Sequence, residues 1–315
     1  SATSLRALAE PEAMSHGPLD EDAVESYREA GAVLVEAMNE AREMVEPGRT
    51  HLEVAEWTED FVRERGAGLA FPVNISVDPE ASHATPNRGD ETEFGEEMVC
   101  LDVGVHVDGY IADAAVTVDH SGTPELVEAA EMALEAALDE AGPGVEVGVV
   151  GQAIEDVIRG YGYTPVLNLS GHGVQRYDAH TGPTVPNRGV DRSVELEPGQ
   201  AVAIEPFATD GRGKVGEGTD EQIFEQQGSA SVRDRRARQA LEEIEAFDDL
   251  PFAARWLETD RAEMALRRLK QANAIKGYPV LKEDDDALVS QAEHTLLVTE
   301  DGVEVTTAGI HGFDD

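Results

Sequence analysis

The chain repeats itself, weakly but in order, and this repeat limits the fold more than any other feature. Residues 46–89 contain EPGRTHLEVAEWTEDFVRERG, then PVNIS, then HATPNRG; residues 142–189 contain GPGVEVGVVGQAIEDVIRGYG, then PVLNLS, then HTGPTVPNRG. Pro47 and Pro143 are 96 positions apart, His83 and His180 are 97 apart, and the two PNRG segments are 100 apart. Each half then enters a strand that carries an acid shortly before an Asp-Gly turn: Asp102 before Asp108-Gly109, and Glu205 before Asp210-Gly211. The period is too long for a solenoid, whose units run about 20–50 residues. Two related α/β halves facing each other across a pseudo-two-fold axis satisfy the pattern, each presenting a histidine and then an acid.

Local patterning fills in the halves. Val24, Tyr27, Gly31, Leu34 and Met38 recur at three- and four-residue spacing, which predicts a helix from Asp20 to near Pro47-Gly48. A second helix is expected from about Thr50 to Arg65. Thr123-Pro124 supplies an N-cap and first-turn pair for a helix reaching about Gly142, and another covers roughly 148–160. Residues 1–19 are small and polar and are expected to fray. Residues 226–275 have helical periodicity and no strand pattern. Between Ser229 and Asn273 nine basic residues balance nine acidic ones. This reads as a helical insertion within a single catalytic domain, 1–315, its arginines forming helix ion pairs. The alternative is a docking surface for ribosomal RNA or another anionic partner.

That local balance is unusual here. The chain has 65 acidic against 24 basic residues, a formal net charge of −41, and its only lysines are Lys214, Lys270, Lys276 and Lys282. Such a charge repels itself at ordinary ionic strength, and molar salt shortens the screening length to about 3 Å. The composition therefore suits a protein from an extreme halophile, and it argues against a specific nucleic-acid partner. The single cysteine, Cys100, excludes an internal disulfide framework. No apolar run approaches the roughly 20 residues of a membrane span. A cytoplasmic monomer is expected.

Residues 99–118, VCLDVGVHVDGYIADAAVTV, place Asp102 and Asp113 inside a β-rich run. Asp108-Gly109 is a two-residue hairpin turn signal. With that turn Val107 faces Tyr110, Gly104 lies opposite Asp113, and Asp102 lies opposite Ala115. Side chains alternate, so Asp102, Gly104, Asp113 and Ala115 share one face. Leu101, Val103, Val105, Tyr110, Ala112, Ala114 and Val116 form the other, packing, face. Two carboxylates that close need a proton or a cation between them.

The same conflict recurs elsewhere. Glu205 follows the apolar run Ala201–Ile204, Glu293 precedes Thr295–Val298, and His172 sits between glycines in LSGHG. Four acids and one imidazole suit two divalent metals such as Mn, Fe or Co better than a structural zinc. Paired metals clamp a hydroxide nucleophile and polarise a carbonyl, so a dinuclear hydrolase is the reading from spacing.

The ordered motifs VCLDVGVHVDGYIAD, LSGHG with DAH behind it, AIEPF and QAEHT resemble methionine aminopeptidase of the second type, in its archaeal form. AFPVNIS, SHATPNRGD, LPFAARWL and GYPVLKE extend the resemblance over nearly the whole chain. It implies the α/β pita-bread fold with internal pseudo-two-fold symmetry and a helical insertion. It also implies two divalent ions, from Co, Mn, Fe, Ni or Zn. Asp102 would chelate one metal, Asp113 and Glu293 would bridge the pair, and His172 with Glu205 would complete the other, Glu205 serving also as general base. His83 and His180 correspond to family histidines that contact the substrate. Phe71, Phe207 and Tyr278 fall in segments resembling the methionine pocket. The implied substrates are N-terminal methionyl peptides and nascent chains with a small second residue, and a transient ribosome contact fits such work. His106, His294, His16, His51, His120 and His311 receive no role. Two positions depart from the family pattern: Cys100 stands where lysine is usual, and Ala84 where an aromatic is common. An X-Pro aminopeptidase or prolidase on the same fold, and a non-catalytic pita-bread binding protein, are the rivals.

Overall fold

The computed structural model describes residues 19–228 and 232–310. The expected frayed segment up to residue 18, and both His16 and His311, lie outside the described residues.

The first half opens with α1 (Glu21–Met44) and α2 (His51–Glu64). Asp20 caps α1 by accepting from Ala23 N at 2.7 Å. Thr50 and Glu53 form a reciprocal capping box at the start of α2. The strands β1 (Gly68–Leu69), β2 (Asn74–Val77), β3 (Glu80–Ser82), β4 (Met98–Val107) and β5 (Tyr110–Asp119) follow. Strand β4 pairs with β1, β2 and β5. The β4–β5 hairpin has the expected register, with Val107 opposite Tyr110, Gly104 opposite Asp113 and Asp102 opposite Ala115. Asp108 and Gly109 both have positive φ, 50° and 88°, which a tight hairpin turn of this hand requires. Leu101, Val103, Val105, Ala112, Ala114 and Val116 pack with Leu34, Met38 and Val54 of the two helices. Tyr110, beside the turn, packs edge-on to Tyr27 with ring centroids 5.1 Å apart. Burying one hairpin face under α1 and α2 leaves the aspartate face turned the other way.

The second half repeats the plan. Helices α3 (Pro124–Glu140) and α4 (Val147–Gly160) lead to β6 (Thr164–Pro165), β7 (Ser170–Gln175), β8 (Asp178–Pro186), β9 (Ala201–Ile204) and β10 (Phe207–Thr209). Thr123 precedes α3 as expected, but its side chain makes no capping bond. Its N–H instead donates to Asp119 Oδ2 at 2.9 Å. Leu126, Leu134, Ile154 and Ile158 of the helices pack on Val202 and Ile204 of β9.

Strand β11 (Gly216–Gln226) then leads through α5 (Arg235–Ile244), the two-residue β12 (Phe252–Ala253) and α6 (Ala262–Gln271) to β13 (Ile275–Lys282). The segment between β11 and β13 is mainly helical, with a core of its own that includes Phe224, Ile244, Phe252, Leu266 and Leu269. It departs from expectation twice. Strand β12 pairs with β11, Phe252 opposite Phe224, too short a pairing to show as a period. Its ion pairs among the described residues, such as Arg236–Asp260 and Lys270–Glu221, also run between elements and not along one helix. Strand β13 turns back beside β11 and reaches β3, placing Leu281 opposite Ser82.

The chain closes with β14 (Val289–Gln291), β15 (His294–Val298) and β16 (Val303–Val305). Strand β14 pairs with β10 and β15 with β9. Between them, Glu293 N donates to Ala115 O at 3.0 Å. This bridge joins the two halves directly behind the two hairpin aspartates.

Candidate metal centre

Each acid reaches the centre for a local reason. Asp102 and Asp113 are diagonal neighbours on the hairpin, and the Ala115–Glu293 bridge brings Glu293 alongside them. Glu205 stands one residue beyond β9. His172 on β7 lies opposite Ala203 of β9, one strand period from Glu205. His172 Nε2 is 3.6 Å from Glu205 Oε1 and 3.9 Å from Asp113 Oδ2. Ligand atoms of Asp113, His172 and Glu293 all lie within 4.8 Å of one another, with Asp102 and Glu205 flanking them.

The electrostatics are those of a site built for cations. Asp113 is 3% exposed and Glu293 1%. Asp102 Oδ1, Asp113 Oδ1 and Glu293 Oε1 are buried without a hydrogen-bond partner. The neutral amide of Gln291 donates from Nε2 to Glu293 Oε2 at 3.1 Å and to Glu205 Oε2 at 3.4 Å. Burial, then mutual repulsion, pushes Asp113, Glu205 and Glu293 well above the usual carboxylate range. Burial also carries Asp102 up to about 7. His172 is pushed down to about 4 by burial, which keeps its imidazole neutral. Its Nδ1 lies 3.2 Å from Gly173 O, and that bond assigns the proton to Nδ1 and frees the Nε2 lone pair. Unpartnered buried carboxylate oxygens beside a neutral imidazole fit divalent cations, which remove the cost of burying like charges.

These groups form the floor of a cavity of about 200 Å³ that all ten residues singled out in the sequence line. His83 and His180 come from the two halves to one wall. The His180 ring is 4.6 Å from that of His172, and the His83 ring is 5.1 Å from that of Tyr278. Desolvation by the surrounding cavity lowers the basicity of both, although residue 180 is itself exposed, and neighbouring His172, His83 and Lys276 lower His180 further. His83 Nδ1 is 3.1 Å from Pro279 O. Phe71 packs directly over Gly104 because that position has no side chain: a Cβ there would stand 2.3 Å from the Phe71 ring.

Residues 25–300 match the model of metallopeptidase family M24. The chain belongs to that family. It is 46% identical over 291 residues to methionine aminopeptidase of Archaeoglobus fulgidus, covering 92% of this chain and 100% of the relative. It is 44% identical to methionine aminopeptidase of Methanocaldococcus jannaschii, covering 90% and 99%. Among solved structures, a thermophilic Arx1 superposes with a TM-score of 0.82 at 17% identity, covering 91% of each chain, a likeness of fold alone. The architecture is the M24 pita-bread fold. The activity is that of a methionine aminopeptidase, hydrolysis of the peptide bond after an N-terminal methionine.

Several residues of this M24 site escaped the sequence reading. Thr295 Oγ1 accepts from Asp113 N and donates to Asp113 O, both at 2.8 Å, fixing that aspartate from behind. Gln291 shares a face with Glu293 by simple strand parity, a signal the sequence does contain. Asn74, opposite Asp102 and buried, lines the cavity with its Oδ1 unpartnered; the PVNIS repeat marked its segment but not its role. The other histidines among the described residues stay apart. His106 Nδ1 accepts from Gly109 N at 3.2 Å, and His294 turns away to Thr307 Oγ1 at 2.8 Å. His120 Nε2 meets Val45 O at 2.9 Å, and His51 stacks on Phe94. Cys100 is buried beneath the site against Thr117 and Val289, its thiol pushed up to about 11 by burial.

Proposed function

We propose that this M24 aminopeptidase is of the second type and removes the initiator methionine from nascent proteins whose second residue is small. Two divalent ions would be held by Asp102, Asp113, His172, Glu205 and Glu293. The observation that carries this is the cluster of Asp113, His172 and Glu293 with buried, unpartnered oxygens under the cavity. Such a pair of cations supplies a polarised carbonyl and an activated water at neutral pH. The protein groups do the rest. Phe71, Phe207 and Tyr278 wall the space for the methionine side chain. Glu205 takes a proton as general base. His83, with its Nδ1 proton held by Pro279 O, presents Nε2 as an acceptor for a peptide N–H, and His180 faces the same bond from the other half.

The second type is supported by the helical segment between β11 and β13, which falls between Glu205 and Glu293. We read 226–275 as an insertion within one catalytic domain. Its arginines, in a chain otherwise so acidic, support a transient contact with the ribosome. The net charge of −41 supports a cytoplasm at molar salt. No helix among the described residues is long and apolar enough to cross a membrane.

The test is hydrolysis of Met-Ala-Ser and of a matched X-Pro peptide in molar KCl, after chelation and then with Mn, Fe or Co restored. Metal-dependent release of methionine from the first peptide alone supports the reading. Cleavage of only the X-Pro peptide would move the chain to the prolidase side of the family.

A further inference from the structure

His83 and His180 occupy matching places in the two halves, yet they are held differently. His180 lies within β8. His83 lies just past β3 with φ of +65°, in the left-handed region. A histidine stays in that region only where its surroundings over-determine it. What over-determines it comes largely from residues 216–282. Ser82 is paired to Leu281, and the His83 ring is anchored on Pro279 O. The residues that follow are gripped by Arg255, between β12 and α6. Arg255 Nη1 donates to Thr85 Oγ1 at 2.7 Å and to Pro86 O at 3.1 Å. Arg88 Nη2 returns the contact, donating to Arg255 O and Leu257 O at 2.9 Å each.

The grip is a closed ring. Arg255 Nη2 donates to Glu59 Oε1 of α2, and both side chains are 2% exposed. Glu59 Oε2 accepts from Trp256 Nε1 at 2.7 Å, and Glu59 Oε1 accepts from Val73 N at 3.3 Å. Thr85 Oγ1 completes the circuit by donating to Val73 O at 2.7 Å. Val73 precedes Asn74, and both follow Phe71 on the cavity wall. A guanidinium suits this task because its fork can bind a carboxylate, a hydroxyl and a carbonyl at once.

We propose that Arg255 is a positioning residue for His83: from the helical segment it clamps the loop 83–88, with Glu59 as its buried counter-charge. This rests on the reading that His83 faces the substrate. The helical segment then completes the active site as well as extending the surface, and the ring couples its docking to the geometry of the cavity.

The ring can be opened at Thr85, whose replacement by valine keeps the shape and removes the hydroxyl. With Met-Ala-Ser, molar KCl and Mn²⁺, Thr85→Val is expected to lower kcat on the order of 10-fold, as a misplaced group does. KM and calorimetric Mn²⁺ affinity should stay within about threefold, a spread that changes binding by well under one decade. Thr85→Ser should restore kcat. The paired variant Glu59→Met with Arg255→Met, which leaves no lone buried charge, should lose on the order of 10–100-fold in kcat. Neither loss should appear in a His83→Ala background. Wild-type kcat in Thr85→Val, or an undiminished loss in His83→Ala, would overturn the proposal. So would full activity in His83→Ala itself, which would remove the premise while leaving the metal ligands and the peptidase reading untouched. Should the paired variant fail to fold, the Thr85 series decides alone.

Discussion

At the scale of single residues, the centre is a place where the fold is worse off without its cations. Four carboxylates face one another, Asp113 and Glu293 buried and Asp102 and Glu205 half-buried, and three of their oxygens are buried without a partner. Replacing Asp113 with Asn removes one of these like charges while keeping the shape. The metal-free D113N protein should therefore melt above metal-free wild type, because buried like-charge repulsion falls. Its turnover should drop by about 10²-fold or more, the scale of losing one preorganised charge-stabilising group. It should also lack the rise in stability that a saturating cation gives wild type, about 2.7 kcal/mol at a hundred times the dissociation constant. Calorimetry with chelator and then with Mn²⁺ reads both effects; a D113N protein that melts lower without metal would contradict the account. Glu131 on α3 shows the same physics away from the site. Burial, with neighbouring Glu128 adding and Arg42 opposing, raises it from 4.5 to about 7. Below pH 4.5 both folded and unfolded chains carry this proton. Between about 4.5 and 7 the unfolded chain gives it up while the folded chain keeps it, so stability falls as pH rises. Glu131→Gln should match wild type near pH 4 and be the more stable protein at pH 8. Equal denaturation midpoints at pH 8 would show that the carboxyl is not held protonated.

At the scale of elements, what packs against an element decides whether a local rule holds. Gly151 sits inside α4, where alanine ordinarily stabilises a helix by roughly 0.5–1 kcal/mol. Here a Cβ would lie 2.2 Å from Arg188 O and 2.5 Å from Pro186 O. Those are backbone atoms and cannot swing aside, so overpacking at about 1–3 kcal/mol outweighs the propensity gain. Gly151→Ala should lower the melting temperature, and activity should fall with it, since Pro186 ends the strand that carries His180. A melting temperature at or above wild type would mean that α4 can lift off its strand freely. This dependence on packing also explains which parts of the fold were legible in the sequence. The helices, the hairpin register and the shared face of Asp102 and Asp113 depend on spacing within one or two elements, and spacing is written in the chain. His172, Glu205 and Glu293 could be found because each breaks an apolar pattern, and His83 because the repeat matched it to His180. The Glu59–Arg255 ring could not be found in this way. Glu59 is one acid among many on a helix, and its partner is 196 positions away. Strand β12 is two residues long, and Thr123 makes no side-chain capping bond although it stands at the N-cap position.

At the scale of the whole molecule, the net charge of −41 is distributed in a way that makes a prediction. Residues 229–273 carry nine charges of each sign, so all of the net charge lies outside them. The two halves must bear the self-repulsion, while the helical segment, with its own core, bears none of its own. Raising salt from 0.1 M to 1 M shortens the screening length from about 10 Å to about 3 Å, and it should stabilise the halves far more than the segment between them. Exclusion of a cosolute from the surface would also raise the melting temperature, but sucrose does that without screening. The melting temperature should therefore climb steeply with KCl below about 1 M and much less with sucrose. Hydrogen exchange at low salt should open the helices of the two halves, α1 to α4, before α5 and α6. The order of opening tests more than surface charge, because Arg255 ties the neutral segment to the first half through Glu59. If low salt loosens the halves first, the loop bearing His83 loses one side of its clamp before the metal ligands separate. Activity at falling salt should then decline through kcat while Mn²⁺ affinity is still intact. Loss of Mn²⁺ affinity at the same salt as the loss of kcat would show instead that the centre and the clamp give way together.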